Sequence, residues 1–527
     1  MIKNIIRHLI LILLLILPQT YGYGKDEAPV KVKLVVQIVV DQLRADQIDK
    51  YSANLSEEGF NYLKKNGRYF GNTKISYARS ATGPGHASIA TGSVPAYHGI
   101  VNNDWYDRIS KKKVYCAEYN GVKSPQNLIG STLSDEIYIS QAGKAKIFGV
   151  SQKDRGAVFL AGHFGKAFWM DDDSIKFVSS EYYYDKEPGF LKKFNAEIKE
   201  DNYPGYGWKP LYEPERYVNF TNKKQTEKFG LARFDNPYAP SALLNSPLGD
   251  SLTFELAKFI VEENRLGKGG HTDYISISFS STDKIGHYFG NSSIEFEDQI
   301  YRLDKLIAGL IDFLDKYAGM NNILITLTAD HGAKDSFVPS NGNCSSAAES
   351  GFNGSLRAIC NDFIKEKLKV NFNSVEEIIL SNIYLNEDAI KNNGLKVEDV
   401  EILLKEYLRN KNGIYDVYTS SEIERNNLLL NMISSRVINS YYHKRSGNLY
   451  IVFEPEIPGA DKFYNRSEHG TPWNYDVSIP LFFCGPEIGN GRNDDEVYIE
   501  DIAATVANYL GLKLPSAASG KVIKISR

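Results

Sequence analysis

The sequence predicts an α/β fold: a mostly parallel central sheet sandwiched by helices, with inserted segments that cap it. Three observations carry this prediction. Lys33–Val40 (KLVVQIVV) is apolar without alternation, the pattern of a strand buried on both faces. Ile300, Leu303, Ile307, Leu310 and Leu314 have the three-to-four spacing of an amphipathic helix. Such strand and helix patterns alternate along the chain, as they do when crossover helices join parallel strands.

The elements follow in order. Lys3 and Arg7 precede an apolar run, Leu9–Leu17, which ends at Pro18 and is followed by Gly22 and Gly24. Charged, apolar, then small is the order of a secretory signal, expected over residues 1–24. The run is too short for a span of roughly 20 residues. The mature chain, 25–527, is therefore expected to be secreted or periplasmic, without a membrane anchor. The Lys33–Val40 strand ends at Asp41, and Lys146–Ser151 reads as a second strand. Tyr274–Phe279 is a third, followed by a polar loop that contains Asp283. Asn322–Leu327 is a fourth, closed by Ala329-Asp330-His331-Gly332. Val477–Cys484 is a fifth, and Asp501–Leu510 is a final helix stopped by Gly511. Two stretches break the rhythm and read as insertions. Ser179–Asn245 is rich in Tyr, Pro, Asn and Gly; Lys334–Asn465 has its own helix near Glu398–Arg409 and its own strand, Leu449–Phe453. Sheets of this kind bind ligands beyond the carboxyl ends of their strands.

The chain has 527 residues, 42% apolar and 24% charged, with a net charge of −4. That balance offers nothing to a nucleic-acid backbone. Cys344 and Cys360 are close enough in sequence to suggest a bridge, whereas Cys484 ends an apolar run and reads as a buried thiol; Cys116 is left unassigned. No CxxC pair supports a cysteine zinc site. Oligomeric state stays open.

The chemistry lies at the strand ends. Asp283 and His287 stand four apart, one face of a helical turn, and both are zinc-ligand types. Such a pair alone is usually a solvated pair or a cap. Asp41 and Asp330 alone would read as strand-end caps, and His331 and His469 as turn or loop histidines. Together these residues are all oxygen or imidazole donors near strand ends, enough for two catalytic zinc sites that each keep an open position. Ala81-Thr82-Gly83-Pro84-Gly85-His86 places a hydroxyl before a glycine-rich turn that opens a helix, where free amides favour a phosphoryl group. Thr82 alone would be an N-cap; beside two metals it becomes a candidate nucleophile. Lys153 and Arg155 stand two apart and would face one side of an extended segment. Asn103 alone would be a turn residue.

In this set, VVDQLR, ATGPGHASIATGSVPAYHGIVNNDWY, SQKDRGA, SSTDKIGHYFG, TADHGA and SEHGTPWNYD occur in order from about Lys33 to the C-terminus. The sequence resembles the alkaline phosphatase superfamily, and most of all the phosphate-irrepressible alkaline phosphatases with a threonine nucleophile. The resemblance implies a zinc-dependent phosphate monoester hydrolase that acts through a phosphothreonine on Thr82. It places Asp283, His287 and His469 on one Zn2+, and Asp41, Asp330 and His331, with Thr82 beside them, on the other. It makes Asn103, Lys153 and Arg155 contacts to the phosphoryl oxygens, which favours small-molecule phosphomonoesters over diesters. The lysine stands where some relatives have a third, magnesium site, so no such site is expected. The rival on the same fold is a phosphodiesterase or nucleotide pyrophosphatase. A sulfatase is disfavoured by the lack of a Cys/Ser-x-Pro-x-Arg segment. A metal-free binding protein on a dead enzyme fold is disfavoured because every expected ligand is present.

Overall fold

The structure, a computed structural model, describes residues 32–198, 207–220, 229–233, 236, 239–335, 347–455 and 467–526. The expected signal segment, 1–24, and Cys344 lie outside the described residues.

The main sheet is mixed and has ten strands. Its centre is parallel: Ile323–Thr328, Leu34–Val40, Asp273–Phe279, Ile147–Ser151 and Lys166–Met170 lie side by side in that order. Leu34–Val40 and its two neighbours are buried along their whole length, which is why their sequences do not alternate. One flank departs from the parallel pattern. Ser478–Cys484 runs antiparallel both to Ile323–Thr328 and to Arg68–Lys74. Phe177–Val178 is antiparallel to Lys166–Met170 at the opposite edge. The long helix runs from Ile294 to Ala318, capped by the Ser293 hydroxyl, and begins earlier than its apolar stripe suggests. The last helix is Asp501–Tyr509, with Gly511 in the left-handed region at φ 67°.

Both insertions have structure of their own. Trp208, Tyr217, Phe229 and Leu231 of the first are buried in the same core as the main sheet. The second builds a separate antiparallel sheet in the order Val375–Ile379, Asn382–Leu385, Leu449–Phe453, Ile414–Thr419. Helices Ala347–Leu368 and Val397–Arg409 accompany that sheet, and Leu404, Ile383 and Ile451 belong to a core distinct from the first. Cys360 sits in this second core as a free, buried thiol; the other half of the expected bridge, Cys344, lies outside the described residues. Cys116 and Cys484 are also free and buried. Among the described residues no helix is long and apolar enough to cross a membrane.

Register positions the site. Val40 pairs with Phe279, and Val39 with Thr328, so the parallel strands end level with one another. Asp41, the helix Ser281–Phe289 and Asp330 then leave the sheet at one edge.

Candidate active site

The strand ends bring most of the expected donors into one buried cluster. Asp41, Asp330 and His331 offer ligand atoms all within 4.8 Å of one another, and Asp283, His331 and His469 form a second such group. His331 belongs to both. His287 lies beside them: its Nε2 is 3.1 Å from Asp283 Oδ1, and its ring centroid is 5.1 Å from that of His469. Asp283 and His287 sit on the helix Ser281–Phe289 rather than in the loop expected after the strand, which makes their four-residue spacing a shared face.

The donors are aimed by their neighbours. His331 Nδ1 donates to the Gly332 carbonyl at 3.0 Å and His469 Nδ1 to the Ser80 carbonyl at 2.9 Å, which leaves each Nε2 as the lone-pair nitrogen. His86 Nδ1 donates to the Thr82 carbonyl at 2.9 Å and lies 3.2 Å from Asp330 Oδ2 without a hydrogen bond to it. Gln42, at φ 66°, gives its backbone N–H to Asp330 Oδ1 and its amide to Asp283 Oδ1. Gly85 is required here, because a Cβ would come within 2.5 Å of the Asp330 carbonyl oxygen. Asp41 Oδ1, Asp330 Oδ2 and His331 Nε2 are buried without a hydrogen-bond partner, which is costly unless a cation satisfies them. The donor set thus fits a metal centre.

Electrostatics agree with the geometry. Burial, then Asp283 and Asp330, push the Asp41 carboxyl well above its usual range. Burial also opposes ionisation of Asp283, but His287 and Lys153 outweigh it and hold that carboxyl well below. Burial works against charge on His287 as well; Asp283 overcomes it and lifts the imidazole to about 9. Lys153 Nζ lies 2.5 Å from Asp41 Oδ2 and 2.5 Å from Asp283 Oδ2, and these carboxylates keep it protonated against its burial.

Thr82 faces this cluster. It is the first residue of the helix Thr82–Thr91, whose N-cap is Ala81, and no side chain caps that helix. The hydroxyl is therefore not spent as a cap. It lies 3.5 Å from Lys153 Nζ. Asn103 Oδ1 accepts from the Gly83 N–H at 2.7 Å, which turns its amide into the remaining donor. Lys153 and Arg155 do not lie on an extended segment: Lys153 is the N-cap of the helix Asp154–Ala161, and Arg155 is in its first turn. Gly156 lets this helix lie against the sheet, because a Cβ there would come within 2.6 Å of Ser151 Oγ and 2.9 Å of Ser278 Oγ. Arg155 Nη1 donates to the Tyr115 hydroxyl at 3.2 Å. Sequence reasoning did not single out Gln42, His86 or Tyr115. Only the spacing of His86, four residues after Thr82 on one helix, hinted at its place.

Comparison with known proteins adds the relationship. The model of the family described as type I phosphodiesterase / nucleotide pyrophosphatase matches residues 35–471. Alkaline phosphatase PhoV of Synechococcus elongatus is 34% identical over 93% of this chain and 92% of its own. Alkaline phosphatase PafA of Elizabethkingia meningoseptica is 32% identical over 95% and 96%. A protein of Myroides odoratus named calcium-transporting ATPase is 33% identical over 94% of each. The crystal structure of wild-type PafA superposes with a TM-score of 0.83 at 31% identity, covering 94% of this chain and 98% of that one. On these matches the chain belongs to the alkaline phosphatase superfamily, as a phosphatase with the alkaline phosphatase-like α/β fold.

Proposed function

We propose that this phosphatase is an exported, two-zinc phosphate monoester hydrolase that works through a phosphothreonine on Thr82. The observation that carries this reading is the meeting of an uncapped Thr82 hydroxyl with Lys153 and a buried Asp/His cluster. Asp41, Asp330 and His331 would hold one zinc, and Asp283, His287 and His469 the other. When bound, such a metal pair stabilises charge on the attacking and leaving oxygens and favours an ionised nucleophile.

The chain's own groups do the rest. Thr82 Oγ forms a bond to phosphorus as its proton departs, and the bond from phosphorus to the ester oxygen breaks. The released alkoxide takes a proton and leaves as the alcohol. Water then attacks the phosphothreonine, the bond to Thr82 Oγ breaks, and the products are inorganic phosphate and free Thr82. Asn103, Lys153 and Arg155 would donate to the non-bridging oxygens, where charge gathers in phosphoryl transfer. Three donors on those oxygens leave little room for a second ester group, which favours monoesters. A solved variant of PafA supports the assignment by analogy: it carries replacements at a threonine, an asparagine, a lysine and an arginine, the same types in the same order. The mature enzyme would be residues 25–527, after removal of the 1–24 signal.

The second reading, a diesterase or pyrophosphatase, is favoured by the family description alone. Rates on a monoester, its methyl diester and a sulfate ester, each with and without added zinc, separate the two. Zinc-dependent preference for the monoester is expected. Preference for the diester overturns the substrate assignment. Arg155→Ala should lower monoester kcat/KM by roughly 10²–10³-fold and diester turnover far less.

A further inference from the structure

The Tyr115 hydroxyl stands between Arg155 and Asp154. It donates to Asp154 Oδ1 at 2.5 Å and accepts from Arg155 Nη1 at 3.2 Å. Its proton is committed to the carboxylate, so its lone pair faces the guanidinium. Asp154 is fixed in turn: Oδ1 also accepts the Arg155 backbone N–H at 2.6 Å, and Oδ2 pairs with Lys123 at 3.2 Å. Lys123 Nζ lies over the Tyr115 ring, 4.1 Å from its centroid. Burial, and beyond it Cys116 and Asp154, push the Tyr115 hydroxyl far above its ordinary value against the pull of Arg155, so it remains a donor.

The backbone carrying Tyr115 is pinned. It ends the strand Lys112–Tyr115, which pairs with Asp104–Asp107 in one hairpin. The Asn127 side chain donates to the carbonyls of Tyr115, Cys116 and Glu118. Cys116 N donates to the Asn103 carbonyl at 2.8 Å, so one hairpin delivers both Asn103 and the Tyr115 hydroxyl to the site.

We infer that Tyr115 is a positioning residue for the phosphoryl group: its hydroxyl, oriented by Asp154, aims the Arg155 guanidinium, and with it sets the preference for monoesters. This rests on the reading of Arg155 as a phosphoryl contact. An arginine on a flexible stem loses entropy when it clamps a ligand, and a fixed acceptor on one Nη removes part of that loss before substrate arrives.

The test is a double-mutant cycle on the zinc-loaded full-length enzyme, with Tyr115→Phe, Arg155→Ala and the pair. Tyr115→Phe should lower monoester kcat/KM by about 10- to 100-fold. It should weaken inhibition by inorganic phosphate in parallel and change methyl-diester turnover by less than about threefold. In the Arg155→Ala background it should have no further effect on monoesters. Asp154→Asn, which keeps the shape but weakens the acceptor, should show the same signature if Tyr115→Phe lowers the melting temperature. Equal losses with and without Arg155, or an unchanged monoester-to-diester ratio in both variants, overturn the inference alone. If Arg155→Ala itself spares monoesters, the reading beneath it falls as well.

Discussion

The imidazole rings of His331 and His469 stack with centroids 3.7 Å apart and planes 15° from parallel. His331 follows the strand Ile323–Thr328 and His469 lies in the irregular stretch before the strand Ser478–Cys484, and each has its Nδ1 tied to a backbone carbonyl. Two stacked imidazoles cannot both carry charge in a buried site. Burial and the neighbouring His331 push His469 well below its ordinary value, and burial lowers His331 as well, against the pull of Asp330 and Asp283. Both are then neutral donors with Nε2 lone pairs available, the form in which histidine binds a metal.

Metal removal should therefore cost both activity and stability. Chelation should abolish turnover, and added zinc should restore it. Ligand binding to the folded state alone stabilises by about 4 kcal/mol at a thousandfold excess over Kd, so the melting temperature should fall with chelator. The two histidines should differ. His331 belongs to both donor groups and is buried, whereas His287 belongs to neither and its side chain is 33% exposed. Zinc per protein, measured after dialysis, should fall further in His331→Ala than in His287→Ala. The reverse order would contradict the geometry.

Thr82→Ala should remove the chemistry and leave the scaffold. The hydroxyl makes one long contact, to Lys153, and caps nothing. Turnover should drop by at least about 10³-fold, as when a covalent nucleophile is removed. Metal content and melting temperature should stay close to those of the parent. Retained turnover with unchanged metal content would rule out the phosphothreonine route.

The parts of this molecule readable from sequence are those fixed by local pattern. Leu34–Val40 and Ile323–Thr328 are mostly apolar and do not alternate because both their faces are covered, and Asp41 and Asp330 stand out as charges just beyond them. The strand Arg68–Lys74 was not legible, since Gly71, Asn72 and the flanking basic residues face partly to solvent near the sheet edge. The direction of Ser478–Cys484 was not legible either, because burial on both faces looks alike in parallel and antiparallel strands. Lys153-Asp-Arg155 read as extended because three polar residues carry no helical period. The close approach of this helix to the sheet depends on Gly156 and its contact with Ser278, more than a hundred positions away. His86 and Tyr115 matter only through partners that the fold brings to them, Asp330 for one and Arg155 for the other.

Glu500 predicts a pH dependence of stability. Its carboxyl is buried beside Ser76, whose hydroxyl donates to Oε1, while Oε2 has no hydrogen-bond partner. Burial raises its pKa from 4.5 to about 7. The folded-state value lies above the unfolded one, so the folded state holds the proton more tightly. The contribution to stability is complete below the ordinary glutamate value and is lost as pH rises through about 7. Glu500→Gln cannot ionise. Its melting temperature relative to the parent should be higher at about pH 8.5 than at about pH 5. Parallel curves would show that the carboxyl is already charged in the fold.

Asp298, outside the first insertion, should be the carboxylate whose loss loosens that insertion most. It is fully buried near the start of the Ile294–Ala318 helix. Oδ1 accepts from the Leu211 N–H at 2.7 Å and the Tyr217 hydroxyl at 2.5 Å, while Oδ2 accepts from Trp208 Nε1 at 2.7 Å and Arg302 Nε at 2.6 Å. Asp298→Ala takes the acceptor from the Trp208 indole, the Tyr217 phenol and Arg302 Nε, and one of two acceptors from the Leu211 N–H. Breaking a buried charged pair costs about 3–5 kcal/mol. The urea midpoint should fall accordingly, and proteolysis near Tyr217 should speed up. The effect should also reach the site, because Trp208 packs edge-on against Phe289, on the helix that carries Asp283 and His287. Asp312→Ala is the control: Asp312 pairs with exposed Lys316 on the same helix, and its loss should change stability by less than about 0.5 kcal/mol. If the two variants unfold at the same urea concentration, the first insertion is not held by Asp298.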